Sequence, residues 1–150
     1  MELFENIMRK AAGIILSATE REEALQEICT LLRSRVDHYD WVGIYLVKGE
    51  RSLVLGPYDG AATEHTEIAF GQGICGQAAE REQTYVVQDV NKETNYLSCS
   101  VHVKSEIVVP VFKDGQVIGE LDIDSHQLAP FTDQEREYLE KLCAMVGELF

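Results

Sequence analysis

The stretch WVGIYLVKGERSLVL, residues 41–55, is where the pattern of the chain changes. Upstream, apolar residues recur every three or four positions. From Trp41, β-branched and aromatic side chains follow one another to Val47, Lys48-Gly-Glu50 interrupts them, and Ser52-Leu-Val-Leu55 resumes the run. Two such runs around a short polar turn predict a hairpin of two strands.

Towards the N-terminus, Phe4, Ile7, Met8, Ala11, Ile14 and Ile15 lie at helical spacing, predicting a helix over Leu3 to Leu16. Thr19-Glu-Arg-Glu22 has the form of a capping box, and Ala24, Leu25, Ile28, Leu31 and Leu32 carry the apolar stripe of a second helix. Downstream, His65 to Phe70, Thr84 to Val90, Glu106 to Phe112 and Gln116 to Asp124 read as strands. Asp114-Gly115 between the last two is a strong hairpin-turn signal. Thr132-Asp-Gln-Glu135 opens a last helix whose stripe is Tyr138, Leu139, Leu142, Met145, Val146 and Leu149. The prediction is an α+β fold with a central, mostly antiparallel sheet and the N- and C-terminal helices packed on one face. Residues 91–104, NKETNYLSCSVHVK, lack periodicity and are long enough for a binding loop or lid.

With 150 residues, 45% hydrophobic, and no internal repeat or linker, one domain over 1–150 is expected, large enough to bury a core without disulfides. Thirteen basic against 26 acidic residues give a net charge of −13, which repels nucleic acid and anionic membrane surfaces. No apolar run approaches the roughly 18 residues of a membrane span, and MELFENIMRK has no signal-peptide pattern, so a cytoplasmic location is expected. Cys29, Cys75, Cys99 and Cys143 are too few and too scattered for a secreted disulfide framework, leaving room for free, reactive thiols. Cys29 and Cys143 sit beside helical apolar stripes and read as packing residues.

GQGICG, residues 71–76, spells G-x-G-x-x-G. A dinucleotide site would need a long helix after it, yet the helical signal ends near Arg81 before Thr84 turns strand-like. The glycines then serve Cys75, either as a loop that exposes the thiol near the start of a short helix, where the dipole favours thiolate, or as a tight turn with an incidental cysteine. A second cluster is Glu120-Leu-Asp-Ile-Asp124, whose period-2 alternation puts three carboxylates on one strand face, about 6–7 Å apart. Such crowding raises at least one pKa and suits a donor-acceptor pair, unless the face is simply solvated. Glu106 can add a carboxylate to the same end of the sheet. A Cys/His zinc set of His65, Cys75, Cys99 and His102 lacks the two close pairs of structural zinc sites, and neither metal nor cofactor is expected.

WVGIYL (41–46), LVLGPYDG (53–60), IAFGQGICG (68–76), QDV (88–90), SEIVVP (105–110) and GELDIDS (119–125) together resemble the GAF-domain free methionine-(R)-sulfoxide reductases. The resemblance implies a GAF-like fold and a thiol-dependent reduction. Cys99 would attack the sulfoxide sulfur, and Cys75 would resolve the sulfenic acid as a disulfide opened by a thioredoxin-type reductant. Glu106, Asp122 and Asp124 would hold the ammonium group of the free amino acid and assist protonation of the departing oxygen. Trp41 and Tyr45 would wall the thioether, with a plain core role as the alternative. A homodimer through the terminal helices fits the same picture. The chain departs from the pattern at His65, where a third cysteine is common, and at Ser100, where Asp commonly follows the loop cysteine. The competing reading is a GAF module that binds a small molecule without transforming it; a structural or dimerisation domain is a third.

Overall fold

The computed structural model describes residues 2–97 and 100–150. In chain order the elements are α1 (Glu2–Ser17), α2 (Arg21–Arg35), β1 (Trp41–Lys48), β2 (Ser52–Asp59), β3 (Glu67–Ala69), α3 (Gly73–Arg81), β4 (Tyr85–Val87), β5 (Ser105–Lys113), β6 (Gln116–Ser125) and α4 (Asp133–Val146). The strands form an antiparallel sheet in the order β3-β2-β1-β6-β5-β4. No helix of the described residues is long and apolar enough to cross a membrane.

The hairpin at 41–55 forms as the sequence predicts, but β2 continues through Gly56 and Pro57 to Asp59. Its pairing with β1 shifts register between Gly43 and Tyr45, and β3 covers β2 only from Ser52 to Val54. Leu55 N still donates to Thr66 O at 2.9 Å, but no strand of the described residues covers the outer edge of β2 beyond it, and a proline without an N–H is tolerated there. The β5–β6 turn has both Asp114 and Gly115 at positive φ, 52° and 78°, the pairing a two-residue primed turn requires. The capping box of α4 is present: Thr132 Oγ1 accepts from Glu135 N at 3.1 Å, and Glu135 Oε2 accepts from Thr132 N at 3.2 Å. The one expected for α2 is not. That helix starts after Glu20, which places Thr19 one residue too early to reach the first turn, and no side chain caps it.

Pairing of β1 with β6 sets Trp41 opposite Asp124, Gly43 opposite Asp122 and Tyr45 opposite Glu120. Pairing of β5 with β6 sets Glu106 opposite Asp124 and Val108 opposite Asp122. Because neighbours across an antiparallel pair share a face, the two faces of the sheet differ sharply in content. One carries Val42, Ile44, Ile107, Val109, Leu121 and Ile123 into an apolar layer under α1, α2 and α4. This confirms the terminal helices on one face, and Cys29 and Cys143 are buried within that layer as expected. The other face carries Trp41, Tyr45, Val108 and the carboxylates, and is covered by α3 and the segments around it.

Candidate functional site

Why GQGICG is rich in glycine follows from what surrounds it. Gly71 and Gly73 have φ of 87° and 65°, and a side chain on Gly73 would strike Leu97 of the 91–104 segment. Asn95 fastens that segment to the glycine turn: Gly73 N donates to Asn95 Oδ1 at 2.9 Å, and Asn95 Nδ2 donates to Gly71 O at 2.7 Å. Gln77 Nε2 adds a bond to the Asn95 carbonyl at 2.9 Å. The glycines thus let a loop lie against the start of α3. Asn95 was not singled out by sequence, since one Asn in an aperiodic segment carries no signal for a partner more than twenty residues away.

Cys75 follows two residues after Gly73 and points at the sheet. The thiol is buried, at 5% exposure, where the glycine-rich sequence suggested an exposed one. α3 lies flat on the carboxylate face instead of presenting its first turn to solvent. Cys75 Sγ is 3.9 Å from Glu106 Oε2, and one donor atom each of Cys75, Glu106 and Asp122 falls within 4.8 Å of the others. The expected preference for thiolate is reversed: burial, then the charges of Asp122, Glu120 and Glu106, push the thiol well above its ordinary value. The helix N-terminus is outweighed because removal from water and three nearby carboxylates all disfavour the anion.

The carboxylate face is not solvated. Glu120 is fully buried, Asp122 and Asp124 are 2% exposed, and Glu106 is 6% exposed. Burial raises Glu120 well above the carboxylate range, with the Asp122 charge adding to it. Burial also raises Asp122, opposed by hydrogen bonding to Glu106 and Cys75, and raises Asp124, with the Asp122 charge in support and a bond to Glu106 in opposition. Cys75 lies close enough to Glu120 to lower it slightly, yet neither Glu120 oxygen receives a well-formed hydrogen bond, nor do Asp122 Oδ1 and Asp124 Oδ1. Four acids that cannot all ionise side by side form a group able to keep a proton on one oxygen and leave another as acceptor.

Two cavities open on this face. A recess of about 10 Å³, room for roughly one water, is bounded by Tyr45, His65, Cys75, Leu97, Glu106 and Asp122. A cleft of about 220 Å³ is bounded by Trp41, Ala62, Ser100, His102, Asp124 and His126 among others. Tyr45 donates its hydroxyl to the His65 carbonyl at 2.7 Å, and Trp41 donates Nε1 to Ala61 O at 2.9 Å while stacking on Tyr58. Gly43 leaves space for that indole, since a side chain there would overlap the Trp41 ring. The six expected site residues Cys75, Glu106, Asp122, Asp124, Trp41 and Tyr45 therefore share one face of the sheet, while Cys99 lies outside the described residues. Its neighbours Leu97 and Ser100 bound the recess and the cleft respectively. His65 joins the recess and His102 the cleft, so these two histidines bound different cavities. A larger cleft of about 560 Å³, between β5 and α4, is lined by Phe112, Arg136 and Glu140 among others and contains no thiol.

The family model for the GAF domain matches residues 20–149. A free methionine-R-sulfoxide reductase of Escherichia coli is 32% identical over 148 residues, spanning 99% of this chain and 88% of its own. The chain belongs to the GAF-domain free methionine-(R)-sulfoxide reductase family. This family membership agrees with the motifs spread over residues 41–125. GAF domain-containing protein A of Dictyostelium discoideum is 35% identical over 145 residues, covering 97% of this chain and 90% of the relative. Among solved structures, the free methionine-R-sulfoxide reductase of Neisseria meningitidis in complex with its substrate superposes with a TM-score of 0.93 at 35% identity, covering 98% of this chain and 87% of the other.

Proposed function

We propose that this protein reduces free L-methionine (R)-sulfoxide to methionine, with Cys99 as nucleophile and Cys75 as resolving thiol. The observation that carries the reading is a buried thiol beside three acids, next to a segment that bears the fourth cysteine, in a member of this reductase family. Cys29 and Cys143 lie on the opposite face of the sheet, which leaves the loop thiol as the partner for Cys75. Because burial and carboxylates hold Cys75 as a thiol, it suits the second step, and the attack falls to Cys99.

In the first step the Cys99 thiolate forms a bond to the sulfoxide sulfur, the oxygen takes a proton from a protonated acid of the cluster, and the hydroxyl passes to Cys99 sulfur as free methionine leaves. Cys75 sulfur then displaces that hydroxyl as water, its thiol proton completing the balance, and a Cys75–Cys99 disulfide remains. A dithiol protein of the thioredoxin type returns both thiols. Glu106, Asp122 and Asp124 bind the substrate ammonium, and Trp41 and Tyr45 wall the thioether. The cleft at Trp41 and Asp124 has the size for the body of a free amino acid, with Glu106 paired opposite Asp124 and, with Asp122 and Tyr45, bounding the small recess on the same face. The reading includes one domain over 1–150, a cytoplasmic setting and a homodimer through the terminal helices, where Leu3 and Leu16 remain exposed on α1.

Methionine release from free (R)-sulfoxide, free (S)-sulfoxide and a peptide sulfoxide, each with dithiothreitol, tests the reading. Release from the free (R) form alone, lost in Cys99→Ser, is expected; no release from any of them would favour a binding module.

A further inference from the structure

We propose that the reduced protein binds one thiophilic divalent cation, zinc being the natural candidate, through Cys75, Glu106 and Asp122. The set differs from the Cys/His combination considered from sequence. One donor atom from each of the three residues lies within 4.8 Å of the others, so side-chain movements of up to about 1 Å bring them to a common ion at zinc–sulfur and zinc–oxygen distances of about 2.3 and 2.0–2.2 Å. All three come from regular elements: the register of β5 with β6 fixes the spacing of Glu106 and Asp122, and α3 packs on both strands with Cys75 buried against them. Asp122 Oδ1 is buried without a hydrogen-bond partner, and so are both oxygens of Glu120, which sits beside Cys75 on the same strand face as Asp122. None of these oxygens receives a well-formed hydrogen bond, and Glu120 is the candidate fourth ligand.

The cavity points the same way. At about 10 Å³ the recess beside Cys75, Glu106 and Asp122 takes a water or an ion but no organic ligand. The ligand chemistry selects among ions: a thiolate with carboxylates fits borderline Zn²⁺ or Co²⁺, whereas Mg²⁺ and Ca²⁺ prefer all-oxygen shells. On binding, the Cys75 S–H bond breaks, its proton goes to solvent, and a sulfur–metal bond forms with no change in oxidation state. An occupied site removes Cys75 from disulfide formation and takes two acids from the proposed ammonium site; this consequence rests on the reductase reading, whereas binding itself does not.

The test uses the reduced full-length protein, freed of metal with a chelator and titrated with Co²⁺. The expected result is a sulfur-to-cobalt charge-transfer absorption that saturates at one equivalent, is displaced by Zn²⁺, is absent in Cys75→Ser and is retained in Cys99→Ser. Asp122→Asn and Glu106→Gln, checked for native circular dichroism, should each weaken Co²⁺ binding by more than the roughly 10–100-fold that loss of an outer-shell partner costs. No charge-transfer band in the wild type, or a band that survives Cys75→Ser, overturns the proposal. A band that forms normally in a protein whose metal-free, reduced form releases no methionine from free (R)-sulfoxide sustains the metal site and overturns the reductase reading.

Discussion

The two faces of one sheet bury cysteines in opposite chemical surroundings. Under α1, α2 and α4, Cys29 Sγ donates to Pro57 O at 3.7 Å and Cys143 Sγ to Val109 O at 3.8 Å. Burial, then the Asp59 carboxylate, pushes the Cys29 thiol up to about 12, and burial foremost raises Cys143 further. Under α3, Cys75 is just as hidden, but its neighbours are Glu106, Glu120 and Asp122, and a cavity and a loop lie beside it. A raised thiol pKa is therefore common to both faces and does not mark the site. What separates them is the partner: a backbone carbonyl satisfies an inert thiol, whereas a group of acids can exchange protons with its surroundings.

Replacing the cysteines one at a time gives the widest contrast. Cys75→Ser should abolish sustained, thioredoxin-supported turnover while leaving one turnover's worth of methionine release, and Cys29→Ala or Cys143→Ala should leave turnover near wild type. Equal losses on both faces in a coupled NADPH assay would erase the distinction.

Adjacent residues of β6 should respond with opposite signs. Leu121 is buried in the apolar layer, so Leu121→Ala should cost about 2–5 kcal/mol in urea unfolding. Glu120 is buried with no well-formed hydrogen bond to either oxygen, so Glu120→Leu should stabilise by about 1–3 kcal/mol. A destabilised Glu120→Leu protein would show that the carboxyl is better satisfied than its surroundings suggest.

The pH dependence of stability sharpens the same contrast. Glu120, Asp122 and Asp124 are raised in the fold, so the native state keeps protons that the unfolded chain releases above its ordinary values of about 4. Their contribution is greatest below those values and is lost as pH rises through the raised ones. The melting temperature should therefore fall as pH rises above about 5, and Glu120→Leu should flatten that slope. Asp59, lowered chiefly by the Thr30 hydrogen bond and also by Arg33, acts the other way, losing its small contribution only as pH falls through its lowered value.

The smallest effect expected is at Asn95. Its bonds to Gly71 and Gly73 are solvent-exposed or nearly so, and Asn95→Ala should cost about 1 kcal/mol or less in stability. The turnover number should drop several-fold as the loop loosens from α3, with the melt almost unchanged. An unaltered turnover number would show that the bond pair does not position the loop.

Much of this was legible before any coordinates, because local pattern and tertiary packing agree in most of the chain. Alternation in Glu120-Leu-Asp-Ile-Asp124 separated acids from apolar residues correctly, and the stripes of the terminal helices marked the layer they cover. Periodicity could not tell a solvated face from a buried one, since what covers the acids is α3, a nine-residue helix from a distant part of the chain. The same packing inverted the expectation for Cys75. Sequence leaves the glycines as either a loop exposing the thiol or a tight turn with an incidental cysteine, whereas one of them makes room for Leu97, a long-range contact that no local window contains.

The most direct test of the claim that only one face is wired for chemistry is a single-turnover disulfide map. The reduced protein is mixed with one equivalent of free methionine (R)-sulfoxide, quenched with an alkylating agent and digested for mass spectrometry. The account predicts one equivalent of methionine, a Cys75–Cys99 disulfide, and Cys29 and Cys143 recovered as alkylated thiols. Methionine release with a disulfide to Cys29 or Cys143, or with Cys75 still free, would contradict it.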